Sequence, residues 1–255
     1  MPAYALSEDT YTVDKSKMFI PFRRGIDDIR QRPGSLLVDI VPFLIQTAKH
    51  NILIDPGLGL NLANGNYHIL ENLLTYGLSA YDIDIVLLSH LHKDHFSGCV
   101  ITTEHDKLTP MFPNAIHYVQ QGELDYASGI GSLSYEKEKI DFYHQHELFQ
   151  TINGNIFIDE GIMCEISGGH TPYHQVFIIK DESRTYFYGG DVLPQPQQLI
   201  RRFVAKYDYD GKQSADKRIE YGHRIAKENM TALYFHSGLQ PISRVSFDGE
   251  KFSII

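Results

Sequence analysis

The chain has 255 residues, 42% hydrophobic and 22% charged, with a formal net charge of −9 and two cysteines. That much apolar material supports a sizeable core and excludes wholesale disorder, while the acidic balance argues against general affinity for nucleic acid or anionic membrane. Two cysteines, Cys99 and Cys164, exclude a disulfide framework or a CxxC zinc knuckle, and their apolar neighbours mark them as small core residues. The opening stretch MPAYALSEDTYTVD is polar and acidic, without a basic start and apolar run. No stretch reaches the length of a membrane span, so a soluble, cytoplasmic protein is expected.

Taken in chain order, short apolar runs rich in β-branched and aromatic residues predict strands within 35–47, 51–57, 83–89 and 115–120. Further runs predict strands within 155–159, 163–167, 175–180, 185–191 and 232–237, and Asp248-Gly249 signals a C-terminal hairpin. Residues 66–77 carry apolar side chains at helical spacing and end on Gly77; residues 214–229 predict a second helix with Ser214 as its N-cap. Residues 127–139 read as a mobile loop leading into another short helix. Strands in both halves with helices between them predict a single α/β (α+β) layered domain over residues 1–255 with mixed sheets.

The segment SHLHKDHFSG, residues 89–98, gathers three histidines and an aspartate at the end of a predicted strand. Imidazole nitrogen and carboxylate oxygen are the usual donors to a borderline cation such as zinc. In extended backbone His90 and His92 would point to one side, with Asp94 continuing the alternation and His95 turned away by a turn or helix. Such a segment can offer donors to two neighbouring metals. His170 in SGGHTPYH, Asp191 in YFYGGD and His236 in LYFHSG each follow a predicted strand. Strand ends meeting at one sheet edge would bring these donors together on rigid elements.

The order HxHxDH at 90–95, GHTP at 169–172, GD at 190–191 and a late histidine at 236 resembles the metallo-β-lactamase-fold, metal-dependent hydrolases. The likeness runs from ILIDPG, near residue 51, to 237. It implies a four-layer αββα sandwich of two mixed β-sheets with two divalent metal ions at its edge, zinc foremost, with iron and manganese compatible with the same donors. By resemblance, His90, His92 and His170 would hold one ion, Asp94, His95 and His236 the other, and Asp191 would bridge them. Asp55 and His174 would lie behind the ligands, and Asp94 and Asp191 would also serve the chemistry. The nearest general likeness is to N-acyl homoserine lactone lactonases and methyl parathion hydrolase-like enzymes. The chain departs from those lactonases at Pro194, where they carry a catalytic tyrosine, and at Tyr173, where HTPGH is the more usual spelling.

The implied activity is hydrolysis of a small ester, lactone or similar small-molecule substrate by a water shared between the metals. A phosphodiesterase or nuclease on the same centre, and an iron-dependent oxidoreductase, are the alternative readings. Selectivity is expected in the segments 121–148 and 192–212, with Tyr173, Tyr207, Tyr209, Arg201 and Arg202 as candidates to reach the substrate. His50, His68, His105, His117, His144, His146 and His223 are assigned to surface or core packing.

Overall fold

Alternation along the short strands decides the architecture. In Phe43–Gln46 and Asn51–Ile54, the side chains of Phe43, Ile45, Ile52 and Ile54 enter a core between two sheets, while Leu44 and Leu53 face outward beneath helices. Across that core, Phe177, Ile179, Tyr186 and Tyr188 point inward. Val176, Ile178 and Phe187 face the other way and pack with Tyr221 and Ile225 of the helix Gly211–Lys227. Sheets covered on both faces need apolar residues at every position, which is why these strands read as unbroken apolar runs. The computed structural model describes every residue except Glu104, Asp106 and Glu182.

The first sheet has the order Ala3–Ala5, Phe43–Gln46, Asn51–Ile54, Ile85–Leu87, Ile116–Gln120, Phe149–Ile152. It is antiparallel through its first three strands and parallel beyond them. The second runs Ile156–Asp159, Ile162–Ile166, Gln175–Lys180, Thr185–Tyr188, Thr231–Leu233, Ile242–Phe247, Phe252–Ile254. It is antiparallel except where Thr185–Tyr188 meets Thr231–Leu233, the crossover that contains Gly211–Lys227. Helices His68–Leu74, Gln121–Gly129 and Lys137–His144 contribute to the core on the outer side of the first sheet. Helix, sheet, sheet, helix is the four-layer arrangement that the family resemblance implied. Among the described residues no helix is long and apolar enough to cross a membrane.

Several local expectations change. Residues 35–47 form two strands, Leu36–Asp39 and Phe43–Gln46, that belong to different sheets. The long helix starts earlier than Ser214: Asp210 is its N-cap, accepting from the backbone N–H groups of Lys212 and Gln213, and Ser214 is buried inside the helix. Residues 127–129 complete a helix, so the loop covers only 130–136. Asp94 does not continue a strand alternation, because the short helix Lys93–Phe96 begins directly after His92. Sequence reading also missed a three-stranded sheet of Phe19–Pro21, Thr10–Val13 and Leu36–Asp39, whose first two strands lie in the stretch read only as polar and acidic or left unassigned.

Two loops meet very closely under the edge of the first sheet. A Cβ on Gly98 would stand 2.2 Å from the carbonyl oxygen of Pro56, and Gly98 N–H donates to the Gly57 carbonyl at 2.9 Å. Glu8 closes the same turn: its Oε2 accepts from Leu58 N–H at 2.8 Å, while its Oε1 is buried without a partner. Burial pushes the Glu8 carboxyl up to about 8, against the Leu58 hydrogen bond, which favours the charged form. The native chain therefore keeps a proton that the unfolded chain releases near 4.5, and stability is lost as pH rises from about 5 to 8. Glu8→Gln is expected to flatten this slope and to be the more stable form at pH 8 by on the order of a few kcal/mol. Urea unfolding of both proteins at pH 5, 6.5 and 8 measures it; a difference that does not change with pH contradicts the assignment.

Candidate metal centre

The strand Ile85–Leu87 ends just before Ser89, and the chain then turns so that His90 is buried and His92 opens the helix Lys93–Phe96. His170 arrives from the other sheet, after Gly168 and Gly169 in left-handed conformations. The Nε2 atoms of His90 and His170 each lie 3.0 Å from His92 Nδ1. One donor atom from each of the three lies within 4.8 Å of the others, and the same holds for Asp94, His95 and His236.

Asp191 stands between the two groups. Its Oδ2 is 3.2 Å from His170 Nε2, and its Oδ1 is 3.2 Å from His95 Nε2 and 3.1 Å from His236 Nε2. Asp94 Oδ2 lies 3.8 Å from His95 Nε2 and 3.6 Å from His236 Nε2. All seven residues singled out by sequence therefore gather at one place. Gly190 precedes Asp191 because nothing larger fits: its φ is +49°, and a Cβ there would lie 2.5 Å from His174 Nε2. His174 is fully buried with both nitrogens engaged, Nδ1 by Ser167 Oγ at 2.7 Å and Nε2 accepting from Asp191 N–H at 3.0 Å. It faces the backbone of the aspartate and has no nitrogen left over.

The outward nitrogens fix the inward ones. His95 Nδ1 donates to Asp55 Oδ2 at 2.7 Å, His170 Nδ1 to Asp208 at 2.7 Å, and His236 Nδ1 to the Asp39 carbonyl at 2.7 Å. Ser89 gives its hydroxyl hydrogen to Asp55, so its oxygen accepts from His90 Nδ1 at 3.0 Å. Each of these four rings thus holds a proton on the far side and presents its other nitrogen to the centre. A single proton on His92 Nδ1 cannot serve both lone pairs beside it, and His95 Nε2 and Asp191 Oδ1 are buried with no hydrogen-bond partner. Opposed lone pairs shielded from water are costly unless a cation sits among them, and this imidazole and carboxylate set fits zinc, iron or manganese. Asp55 does not make a third site with His90 and His95. Its carboxylate already takes the His95 ring, the Ser89 hydroxyl and N–H, and the Tyr188 hydroxyl.

The electrostatics follow the same division. Burial, reinforced by neighbouring imidazoles, drives His90, His92 and His174 well below the ordinary histidine range and keeps them neutral. Burial acts in the same direction on His95 and His236, but Asp191 and Asp94 outweigh it and raise both. For Asp191 burial favours the neutral acid, yet His236, His95 and His170 hold its carboxyl well below the usual range. The field that draws a proton to this spot draws any cation.

A cleft of about 340 Å³ opens onto the centre. Val13, Phe19, Leu36 and Val38 of the three-stranded sheet line one part of it, and Tyr126, Ile130 and Tyr135 another. Tyr207 and Tyr209 line it as expected, whereas Tyr173, Arg201 and Arg202 do not. Tyr173 lies against Gly122, and Arg202 pairs with Asp216 at 3.0 Å. Sequence reasoning missed Asp208, Ser89 and the Asp39 carbonyl as partners of the rings. It also missed Arg218, buried and bound to the carbonyls of Val192 and Phe203, which ties down the segment after Asp191. Asp208 and Arg218 lie in or near segments whose unusual composition was the only signal.

The chain belongs to the metallo-beta-lactamase superfamily, whose sequence profile it matches over residues 38–224. Among curated relatives, the N-acyl homoserine lactonase AttM of Agrobacterium fabrum is 26% identical over 153 residues, 55% of this chain and 48% of that protein. The N-acyl homoserine lactonase AiiA of Bacillus thuringiensis subsp. kurstaki is 26% identical over 170 residues, 59% of this chain and 62% of that one. The chain thus spans about half the length of the curated relatives it matches. A probable metal-dependent hydrolase from Staphylococcus aureus superposes with a TM-score of 0.79 at 24% identity, covering 100% of this chain and 96% of its own. AidC, a dizinc quorum-quenching lactonase solved with a product, gives 0.75 at 18% identity, covering 99% and 93%. At these identities the superpositions speak for the fold.

Glu123 is the hidden fastener of the site. Fully buried on the helix Gln121–Gly129, it accepts from Leu91 N–H at 3.1 Å, from the Thr171 hydroxyl at 2.6 Å and from the Tyr135 hydroxyl at 3.3 Å. It therefore ties the segment holding His90 and His92, the segment holding His170 and the loop over the cleft to one carboxyl group. Glu123→Ala leaves the Leu91 N–H and the Thr171 hydroxyl without their acceptor and is expected to cost about 3 kcal/mol of unfolding free energy. Denaturant titration checks it, and a loss of less than about 1 kcal/mol contradicts the role.

Proposed function

We propose that residues 1–255 form one domain whose cleft is the active site of a dinuclear, metal-dependent hydrolase acting on a small ester, lactone or related carbonyl substrate. The observation that carries this reading is the division of Asp191, one oxygen toward His170 and the other toward His95 and His236. On this reading His90, His92 and His170 would hold one cation and Asp94, His95 and His236 the other, with Asp191 available to both. Zinc is the proposed metal. When bound, the pair supplies an acidified water near neutral pH and polarises the scissile carbonyl.

The chain's own part is orientation and proton handling. Asp55, Asp208, Ser89 and the Asp39 carbonyl each take one ring N–H from behind and so aim the opposite nitrogen of four rings at the site. The nearest approach of Asp94 to both histidines is through Oδ2, and a carboxylate so placed could relay a proton from the attacking water to the leaving oxygen. Pro194 stands where the lactonases carry tyrosine, and its carbonyl accepts from His236 N–H at 3.0 Å. Tyr207 enters the cleft from farther along the same segment; burial, then the nearby carboxylates, raises its hydroxyl pKa, so it stays a donor near neutral pH. The lactonase relatives support the carbonyl reading.

Elemental analysis of purified protein is expected to give two equivalents of divalent metal per chain, with turnover in a panel of lactones and nitrophenyl esters. Asp191→Ala should lose one or both metals and nearly all turnover. Asp208→Ala should bind metal about 10–100-fold more weakly while remaining folded. Full turnover in an Asp191→Ala protein with verified metal loss defeats the reading. Turnover confined to bis(4-nitrophenyl) phosphate replaces it with phosphodiester chemistry.

A further inference from the structure

The charges lining the cleft do not balance. Its three carboxylates, Asp94, Asp191 and Asp208, are all directed at imidazoles. Its two cations, Lys17 and Lys93, have no such engagement. No carboxylate lies within 4.0 Å of either ammonium group among the described residues.

Both lysines are also held in place by their backbones. Lys17 sits in the hairpin between Thr10–Val13 and Phe19–Pro21 at φ +57°, with its N–H donating to the Asp14 carbonyl at 3.0 Å. Lys93 follows His92, and its N–H donates to the Ser134 carbonyl at 2.9 Å. Each side chain is half-buried. The apolar side chains of Val13, Phe19 and Leu36 line the same cleft and lower the dielectric that would otherwise screen these charges. In a chain of net charge −9, two uncompensated ammonium groups beside the proposed reaction centre select for an anion.

We propose that Lys17 and Lys93 form an anion subsite, and that the substrate is an ester or lactone bearing a carboxylate or phosphate away from the scissile bond. The identity of the substrate rests on the hydrolase reading above; the subsite itself does not. Neither lysine is among the proposed metal ligands, so its replacement separates substrate recognition from metal loading. The lysines act on binding, and their loss therefore moves KM for the charged substrate more than kcat.

The test compares metal-loaded wild type, Lys17→Met, Lys93→Met and the double variant on a matched pair, 4-nitrophenyl butyrate and 4-nitrophenyl hemiglutarate. Wild type is expected to favour the hemiglutarate in kcat/KM. The double variant should lower that ratio at least tenfold, through KM, with arginine at both positions restoring it. Equal use of the two esters by wild type, or a ratio that moves less than threefold in the double variant, overturns the proposal. If wild type turns over neither ester, the ester reading fails on its own, and calorimetric titration with glutarate and with inorganic phosphate decides the subsite. Binding of either anion that weakens at least tenfold in the double variant supports it and tells carboxylate from phosphate. Absent binding, or binding that moves less than tenfold in the double variant, overturns it.

Discussion

Four imidazoles in this protein carry their hydrogen on the side away from one another. Asp55, Asp208, the Ser89 hydroxyl and the Asp39 carbonyl each take one N–H from behind, and the opposite nitrogens are left to face Asp191 and His92. Placed this way, nitrogens and carboxylate oxygens crowd together away from water, so the arrangement is poor as a structural core and suited to a positive charge. Much of the surrounding structure serves to keep those rings from turning. Tyr188, deep between the sheets, donates to Asp55 at 2.6 Å, so the inter-sheet core is connected to His95 through two hydrogen bonds.

The fold makes such a gathering feasible because both sheets present strand ends at the same edge. The first sheet supplies the segment after Ile85–Leu87, and the second supplies the segments after Ile162–Ile166, Thr185–Tyr188 and Thr231–Leu233. Contacts between these segments do not depend on the donors themselves. Gln175 N–H donates to the Ser89 carbonyl, and its side-chain amide donates to the Leu88 carbonyl, stitching one sheet to the other beside His90. Glu123 performs a similar task from the helical layer. With Arg218 of the helix Gly211–Lys227 holding the segment after Asp191, all four layers support the centre.

The layered architecture and the cluster of donors were legible in the sequence because both rest on short-range patterns. Apolar runs marked the covered strands, and imidazoles and carboxylates crowded after strands marked the edge. Asp208 was illegible because its role depends on a backbone path: Tyr209 N–H donates to the His170 carbonyl and Asp210 N–H to the Gly169 carbonyl, which brings the segment across. The Asp39 carbonyl carries no sequence signal at all, since any residue provides one. Thr10–Val13 and Phe19–Pro21 escaped notice because this small sheet buries only part of its surface and its strands mix Thr, Tyr and Pro. Ser214 was misread as a cap for a related reason. Capping chemistry is shared by Ser and Asp, and what selects Asp210 is the contact of the first turn with Gly169.

The strand Leu36–Asp39 faces two ways: Leu36 and Val38 line the cleft, and the final carbonyl of the strand steadies His236. A main-chain oxygen is indifferent to which side chains precede it. Leu36, half exposed, can therefore be exchanged for a larger, smaller or polar residue while the grip on the histidine persists, whereas Val38 also packs against the inter-sheet core. The wall of the cleft can thus be rewritten at a strand position without loosening the imidazole behind it.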